Sequence, residues 1–139
     1  MYVEWRWEWS FEILPQMLWA TLNTFLAAGV GYAIAAIVGI LFMLGQRTPY
    51  KIINIPTREI VEFIRSTPLL VQLFFVYFVA PQFGLTLSAW VCAMITIGLH
   101  YGTYLSEVYR GALEGVPKSQ WEACRALNFS TSYNYRKII

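Results

Sequence analysis

The stretch Ile13–Gln46, ILPQMLWATLNTFLAAGVGYAIAAIVGILFMLGQ, contains no charged residue and decides the broad class of the fold. A second stretch, between Arg65 and Glu107, is also free of charge. One membrane-spanning helix needs about 20 apolar residues, so the first stretch holds one span and the second has room for two. Only 13% of the residues are charged and 58% are hydrophobic, against about 25% charged in an average soluble domain. The sequence therefore predicts an all-α integral membrane protein.

Prolines and a serine set the expected limits of three spans. Pro15 is placed to begin the first helix, because its missing backbone N–H does no harm in a first turn. A helix from Pro68 to Pro81 would measure only roughly 18 Å, against a hydrocarbon core of about 30 Å. The second helix must therefore begin near Ile60 and bend at Pro68, and Ser88 can cap the third. The predicted spans are residues 16–44, 60–80 and 89–107.

The N-terminal segment, residues 1–15, is rich in aromatic side chains that alternate with polar ones. The aromatic side of this alternation consists of Trp5, Trp7, Trp9 and Phe11. Amphipathic aromatic rings favour the membrane–water boundary. We therefore expect an interfacial anchor on the outer face of the membrane, and a ligand-stacking surface is the alternative.

Basic residues are distributed unevenly between the predicted loops. Of the 10 Lys and Arg, only Arg6 precedes the first span, and none lies in the connection 81–88. Cytoplasmic loops carry an excess of Lys and Arg. The N-terminus is therefore expected outside, and the loop 46–65 and the C-terminal stretch are expected in the cytoplasm. A net charge of +2 without a basic run gives no indication of nucleic-acid binding.

Small residues recur every four positions in two of the predicted spans and form one stripe on each helix. The members are Ala27, Gly31, Ala35 and Gly39 in the first span, and Gly98, Gly102 and Ser106 in the third. Such stripes let membrane helices approach closely. We expect both spans to pack against protein through them.

Polar residues at membrane depth are expected to face a bundle interior or a wet path. Glu62 and Arg65 can pair with each other or with a neighbouring chain, either as a structural pair or in gating. His100 is either a packing histidine or a substrate or proton contact. Glu107 and Arg110 are expected to form an ion pair. The candidates for a transport path or a gate are Arg65, Thr67, Pro68, His100, Tyr104, Glu107 and Arg110.

The chain lacks the motifs of most catalytic sites. It has no glycine-rich phosphate loop, no H-E-x-x-H and no G-x-S-x-G, and it contains only one His and no Asp. Cys92 lies in a predicted span and Cys124 in the cytoplasmic stretch, and neither has metal-ligand spacing. We expect neither an enzyme nor a metal site, so the energy for any active transport must come from a partner.

The stretch Val116–Asn128, VPKSQWEACRALN, predicts a short polar helix after the third span. Pro117 is placed at its start or just ahead of it, and Ser119 can cap it with Glu122 at the capping-box spacing. Asn128 can end the helix, because Asn tolerates the left-handed conformation. One side is modestly apolar and the other is charged, so the helix needs a groove in a partner.

The same stretch resembles the E-A-A-x-x-x-G-x(9)-I-x-L-P loop of ABC-importer permeases. Glu122–Ala123–Cys124 is followed by three residues, Asn128, nine residues and Ile138, and the spacing agrees throughout. Cys124 stands in place of the second Ala, Asn128 in place of the Gly, and Ser119 in place of a Gly that is usual in one branch of the family. Each of these departures is small or able to take a Gly-like turn.

Three further stretches narrow the resemblance. FIRSTPLLVQLFF at 63–75, SEVYRGAL at 106–113 and VPKSQWEA at 116–123 are similar to the polar amino-acid branch of these permeases. The aromatic start ending in FEILP and the stretch GLHYGTY at 98–104 are similar to permeases of ectoine and hydroxyectoine importers.

The resemblance implies three of the five transmembrane helices of a type I permease and a cytoplasmic coupling loop, 116–139. It implies a second permease subunit, a cytosolic ATPase dimer that binds ATP and Mg²⁺, and an external solute-binding protein, at the bacterial inner membrane. The solute would be a polar amino acid, or ectoine or hydroxyectoine, moved by alternating access. The family has two further spans after this loop, so we expect a C-terminally incomplete chain. The residues implied in coupling are Gln120, Glu122, Ala123, Cys124, Arg125, Asn128 and Ile138.

A protein of another class remains as the alternative interpretation. A small three-span scaffold or channel-like protein would assemble with itself through the two small-residue stripes and would need no ATPase. Purification with or without a nucleotide-binding subunit separates the two hypotheses.

Overall fold

The computed structural model describes residues 7–130 and 133–135, and no strand occurs among them. The all-α prediction is confirmed. The long helices are α1 and α4, which run side by side. The elements in chain order are α1 (Trp7–Arg47), α2 (Lys51–Ser66), α3 (Leu69–Phe74), a π-helical turn (Phe75–Val79), a 3₁₀ turn (Ala80–Phe83), α4 (Ala89–Glu114) and α5 (Lys118–Ala126).

α1 is longer than the predicted first span. It begins at Trp7, and Pro15, the expected first residue, lies inside it. The predicted start is wrong because a proline removes only one backbone hydrogen bond, and residues 7–14 contain no glycine or second proline that would end the helix. At 1.5 Å per residue α1 measures about 60 Å, twice the hydrocarbon core of about 30 Å. α1 therefore extends beyond the hydrocarbon.

The helical start also changes the arrangement of the N-terminal aromatic rings. Side chains on one side of a helix are three or four residues apart, so Trp7 and Phe11 share a side and Trp9 lies across from them. The predicted one-sided set is wrong for these residues, because alternation with period two belongs to an extended chain. Trp7, Trp9 and Phe11 are all exposed. Trp5 and Arg6 lie outside the described residues.

The core of the fold is the close contact between α1 and α4. Gly31, Ala35 and Gly39 of α1 are buried, as are Gly98 and Gly102 of α4. A Cβ atom added at Gly102 would lie 2.8 Å from the Val38 side chain and 3.3 Å from the Ala35 carbonyl oxygen. The expected packing of both stripes against protein is confirmed, and the two stripes pack against each other.

Hydroxyl groups fill the rest of this interface without leaving donors unpaired. Thr96 donates to the carbonyl of Cys92 at 2.7 Å, Thr103 to that of His100 at 2.6 Å, and Ser106 to that of Thr103 at 2.6 Å. Thr103 and Ser106 are fully buried. Because polar groups without partners are costly at membrane depth, these bonds allow a polar seam inside the helix pair.

The segment between α1 and α4 differs most from the prediction. Residues 51–58, expected as part of a loop, belong to α2, and the expected single helix 60–80 is two helices. The chain breaks at Thr67–Pro68, and its axis turns by 103° between Lys51–Ser66 and Leu69–Phe83. The bend expected at Pro68 is present, and its angle of 103° is that of a broken span or a re-entrant loop. The charges of both signs in α2 led to the prediction of a loop, although its residues recur with a helical period.

Of the described helices, α1 is the one best suited to cross a membrane. Among the described helices, α1 alone is long and apolar enough to cross a membrane by itself. If the bent pair Lys51–Ser66 and Leu69–Phe83 forms a single span, that pair is the second. α4 begins at Ala89 as predicted, with the Ser88 hydroxyl accepting from the Val91 N–H at 3.4 Å, and it continues past residue 107 to Glu114. α4 carries polar residues on its protein-facing side, which lower its mean hydropathy.

α5 stands apart from the other helices. Pro117 occupies the N-cap position and Lys118 is the first helical residue, without a side-chain cap. The prediction that Ser119 caps α5 is wrong, because the helix starts before it and Ser119 lies within the first turn. None of the other described helices packs extensively against α5.

Candidate functional site

The candidate path residues form one row of polar side chains between the break and the end of α4. Arg65, near the end of α2, lies 3.9 Å from the Glu107 carboxylate of α4. Its guanidinium is also stacked over the Tyr104 ring, 5.1 Å from the centroid. Arg65 therefore joins α2 to α4 through a charge contact and a cation–π contact.

The break between α2 and α3 is held by the side chain of Gln72. Pro68 has no backbone N–H, so the carbonyl of Ile64, four residues earlier, loses that helical partner and accepts instead from the Thr67 N–H at 3.3 Å. The Gln72 amide nitrogen donates to this carbonyl at 2.7 Å and to the carbonyl of Thr67 at 2.9 Å. Because an unpaired carbonyl in a membrane costs several kcal/mol, Gln72 stabilises the bend.

Two hydroxyl groups beside the proline satisfy further carbonyls at the end of α2. The Ser66 hydroxyl donates to the carbonyl of Glu62 at 2.7 Å. The Thr67 hydroxyl donates to that of Phe63 at 2.9 Å. The sequence Ser-Thr-Pro followed by Gln72 therefore supplies the donors that a broken helix lacks.

His100 connects the break to α4. Its Nδ1 atom lies 3.1 Å from the Gln72 amide nitrogen. The amide nitrogen carries only two hydrogens, which it also directs at the carbonyls of Ile64 and Thr67. The imidazole is 8% exposed and packs against the rings of Tyr101 and Tyr104. The sequence left two roles open for His100, packing or contact with a substrate or proton, and these contacts favour packing.

Ion pairs continue the row beyond the break. Arg110 donates to Glu107 at 2.6 Å and to Glu114 at 2.9 Å, which confirms the predicted Glu107–Arg110 pair. The hydrogen bonds that Arg110 donates to Glu107 and to Glu114 raise the pKa of Arg110, which lies beyond the predicted span, so its charge is fixed. Among the described residues Glu62 forms no ion pair with Arg65, whose carboxylate partner is Glu107.

A buried glutamine joins three helices beneath this row. Gln46, at the end of α1, donates to the Ser106 hydroxyl of α4 at 3.4 Å, and its carbonyl accepts from the Asn54 amide of α2. The side chains nearby enclose a polar cavity of about 210 Å³, in which the Arg65 Nε has no hydrogen-bond partner among the described residues. The cavity is lined by Gln46, Arg58, Val61, Glu62, Arg65, Glu107 and Arg110.

Sequence reasoning missed Gln46 and Gln72 as site residues, although both carry a signal. Gln46 follows Gly39 by seven residues, which places it on the small-residue stripe of α1. Gln72 is the first polar residue after Pro68 in an otherwise apolar run. A polar side chain on a packing stripe, or four residues after a proline, indicates a partner on another helix or at a break.

The second candidate site is the exposed surface of α5. Gln120, Glu122, Ala123 and Arg125 are exposed. Neither Glu122 nor Arg125 forms an ion pair among the described residues. Cys124, which the family resemblance implies in coupling, is only 2% exposed, so its side chain faces the chain itself and not a partner. Ile138 lies outside the described residues.

The end of α5 depends on Asn128, which has a φ of 54°. The Asn128 N–H donates to the carbonyl of Arg125 and the Phe129 N–H to that of Cys124, both at 3.0 Å. These two bonds form a Schellman motif, in which the left-handed residue is usually Gly. The prediction that Asn128 takes this turn is confirmed.

Replacing Gln72 by leucine is expected to destabilise the fold. The carbonyl of Thr67 would lose its donor and that of Ile64 the shorter of its two bonds, at a cost of about 2 kcal/mol in the free energy of unfolding. Unfolding of the full-length protein in mixed micelles measures this, with Gln82→Leu, an exposed glutamine after the break, as the matched control. Equal stabilities of the two variants would show that Gln72 does not hold the bend.

Replacing Asn128 by valine is expected to fray the end of α5. A β-branched residue in the left-handed region costs about 1–2 kcal/mol, whereas Asn128→Gly should leave the turn intact. Amide hydrogen exchange at Arg125–Phe129 is expected to accelerate in Asn128→Val alone. Leu127→Val, one residue earlier at a φ of −83°, is the control, and similar exchange in both valine variants would contradict the role of Asn128.

No group of three or more His, Cys, Asp or Glu side chains that could hold a metal ion occurs in the described ranges 7–130 and 133–135. The polar residues of the row are bonded to one another. The arrangement is suited to joining helices and to changing partners when they move.

Comparison with known proteins gives the family. Residues 35–139 match the model of the binding-protein-dependent transport system inner membrane component. The chain is 35% identical over 132 residues to a probable amino-acid ABC transporter permease, y4tG of Sinorhizobium fredii, covering 94% of this chain and 56% of the relative. It is 33% identical over 138 residues to the nopaline transport system permease NocM of Agrobacterium fabrum, covering 92% and 57%.

Solved structures show the same fold. A crystal structure of an amino acid ABC transporter with histidines superposes with a TM-score of 0.72 at 24% identity, over 98% of this chain and 63% of that chain. The MetNI methionine ABC transporter in an inward-facing conformation gives a TM-score of 0.60 at 24% identity, over 87% and 58%. This chain thus spans a little over half the length of the curated relatives it matches. It belongs to the family of inner membrane components of binding-protein-dependent transport systems, the ABC permeases, and has amino-acid ABC permeases among its homologues.

Proposed function

We propose that this chain is the coupling part of an importer permease that moves a polar amino acid across the inner membrane, driven by a cytosolic ATPase. An external binding protein would deliver the solute, and a second permease subunit, identical or related, would complete the path. The permease itself hydrolyses nothing, and ATP and Mg²⁺ belong to the partner. The N-terminus would lie outside and α5 in the cytoplasm, as the distribution of basic residues predicts.

The observation that carries this proposal is the state of α5. It is a charged helix that the other described helices leave largely free, and its end is fixed by the turn at Asn128. Glu122 and Arg125 are exposed without ion pairs among the described residues. A helix that is so well terminated and so poorly packed fits a groove on another protein, where its charged pair gains charge-assisted bonds.

The polar row supports a route from α5 to the path. α5 follows α4 after the short turn 115–117, so a displacement of α5 acts directly on the end of α4. α4 is bonded to α2 through Glu107 and Arg65 and to the break through His100 and Gln72. ATP-driven movement of α5 would shift these partners together and open the path alternately outward and inward.

The solute is proposed from the relatives. Several are named as amino-acid permeases, and one is named for nopaline. We therefore propose a polar amino acid as the solute class. Ectoine and hydroxyectoine are the narrower candidates, supported by the aromatic start and by residues 98–104. Calorimetric binding of candidate solutes to the associated solute-binding protein distinguishes these possibilities.

Affinity purification of the tagged full-length permease with its neighbouring ATPase tests the proposal. We expect the ATPase to co-purify in a stable ratio and to hydrolyse ATP in the complex. Recovery of a permease oligomer that excludes the ATPase would support the self-associating scaffold instead. The family match does not favour that alternative. In addition, both stripes through which the scaffold would assemble are already buried between α1 and α4.

A further inference from the structure

α2 has two surfaces of opposite character. At 3.6 residues per turn, Lys51, Arg58, Glu59 and Glu62 fall on one arc, which we call the polar arc. Ile55 is the one apolar residue on the polar arc. The opposite arc, which we call the apolar arc, consists of Ile52, Ile53, Pro56, Ile60 and Phe63.

The described residues leave most of the apolar arc uncovered, and Phe63 at its end also lines a small cavity with Thr96 and Leu99 of α4. Ile52 is 84% exposed and Phe63 is 74% exposed, and Ile53 and Ile60 are about half exposed. The residues of α2 that are covered lie between the two arcs, with Val61 buried. The helix is therefore fixed to the bundle along one edge, and the apolar arc points away from it.

The contacts of α2 join it to the end of α1 and to the side of α4. Thr57 packs against Gly45, where an added Cβ would lie 3.0 Å away, and Asn54 bonds the carbonyls of Gln46 and Thr48. Arg65 reaches α4 at Tyr104 and Glu107. The chain turns by 103° at Pro68, so α2 runs nearly at right angles to the segment Leu69–Phe83 that follows it.

The polar arc indicates which way α2 faces. Arg58 and Glu62 line the cavity that also contains Arg110, beyond the predicted end of the third span. That side is the one that the excess of basic residues assigns to the cytoplasm. The apolar arc, on the opposite side of the helix, consequently points back toward the hydrocarbon.

We propose that α2 lies in the plane of the cytoplasmic membrane surface, with the apolar arc buried at the boundary between lipid headgroups and acyl chains. Its length of about 24 Å suits an in-plane helix. Interfacial helices of this kind combine a strong apolar face with basic residues that attract anionic lipids. Lys51 and Arg58, with Arg47 just before the helix, supply basic charge that exceeds the negative charge of Glu59 and Glu62 on the same arc. The inference rests on the membrane-embedded fold and is independent of ATPase coupling.

Spin labelling of the reconstituted full-length complex tests this position. Single cysteines at Ile52, Phe63 and, as the control on the polar arc, Glu59 are labelled in a Cys92→Ala/Cys124→Ala background. The membranes are vesicles of phosphatidylethanolamine and phosphatidylglycerol. Collisions with oxygen, which concentrates in lipid, and with a water-soluble nickel chelate are compared at each label. Elution of each variant as a single species in size-exclusion chromatography shows that it is folded and assembled.

The labels at Ile52 and Phe63 are expected to collide several-fold more with oxygen relative to the nickel chelate than the label at Glu59. Strong collision of both with the nickel chelate would place the apolar arc in water and overturn the proposal. Protection from both reagents would mean that protein covers the arc, which would also overturn it. Neither result depends on whether solute is transported.

Discussion

Replacing Gly98 by leucine is expected to prevent stable packing of α1 against α4. A Cβ at this position would lie 2.7 Å from the Cβ of Ile34, and the Gly31 carbonyl oxygen is 3.5 Å away. The Cβ alone already overlaps the Ile34 side chain, so the helices must separate along the interface that forms the core. Overpacking costs about 1–3 kcal/mol in soluble cores, and we expect the upper end, about 3 kcal/mol.

Unfolding of the full-length protein in mixed micelles, followed by tryptophan fluorescence, measures this loss. Gly29→Leu is the matched control, because a Cβ at Gly29 meets nothing within 4 Å on the outer side of α1. It adds the same side chain at membrane depth without entering the interface. Equal unfolding of Gly98→Leu and Gly29→Leu would contradict the close packing of the two stripes.

Reversing the charge of Glu122 is expected to uncouple the permease from its ATPase. Glu122 is exposed on α5 beside Arg125, where a partner's basic group would meet it. Placing arginine there converts attraction into repulsion at the centre of the proposed contact. Central contacts of this type are worth about 2 kcal/mol or more, so we expect affinity for the ATPase to fall about 30-fold.

Titration of the purified ATPase against the full-length permease in nanodiscs measures the affinity of Glu122→Arg. Glu122→Gln, which removes the charge without reversing it, is expected to give an intermediate loss. Glu59→Arg, the same reversal at an exposed position of α2, is the control for a general change of surface charge. If Glu122→Arg and Glu59→Arg bound the ATPase equally well, α5 would not be the docking element.

Regular features of the chain were predictable from the sequence. The uncharged stretches, the small-residue stripes and the residues around Asn128 each follow a local rule, and α1, the α1–α4 contact and the end of α5 agree with them. The Glu107–Arg110 pair followed equally from a spacing of three along one helix. Spacing along the sequence is enough to predict a contact when both residues belong to the same helix.

Contacts between elements were not predictable in this way. Arg65 had a nearby candidate partner in Glu62, but the turn at Pro68 brings it to Glu107 instead. Gln72 becomes a site residue only because the break leaves carbonyls within its reach. The charges of α2 suggested a loop, since an amphipathic helix at a surface carries the same composition as a polar connection.

ATP-dependent uptake by proteoliposomes tests the central claim most directly. Full-length permease, ATPase and solute-binding protein are reconstituted together, and entry of a labelled polar amino acid is followed with ATP or with a non-hydrolysable analogue. We predict accumulation against a gradient with ATP alone, and its loss in Glu122→Arg. Equal entry without ATP or without the ATPase would contradict the account and indicate a passive, self-assembled channel.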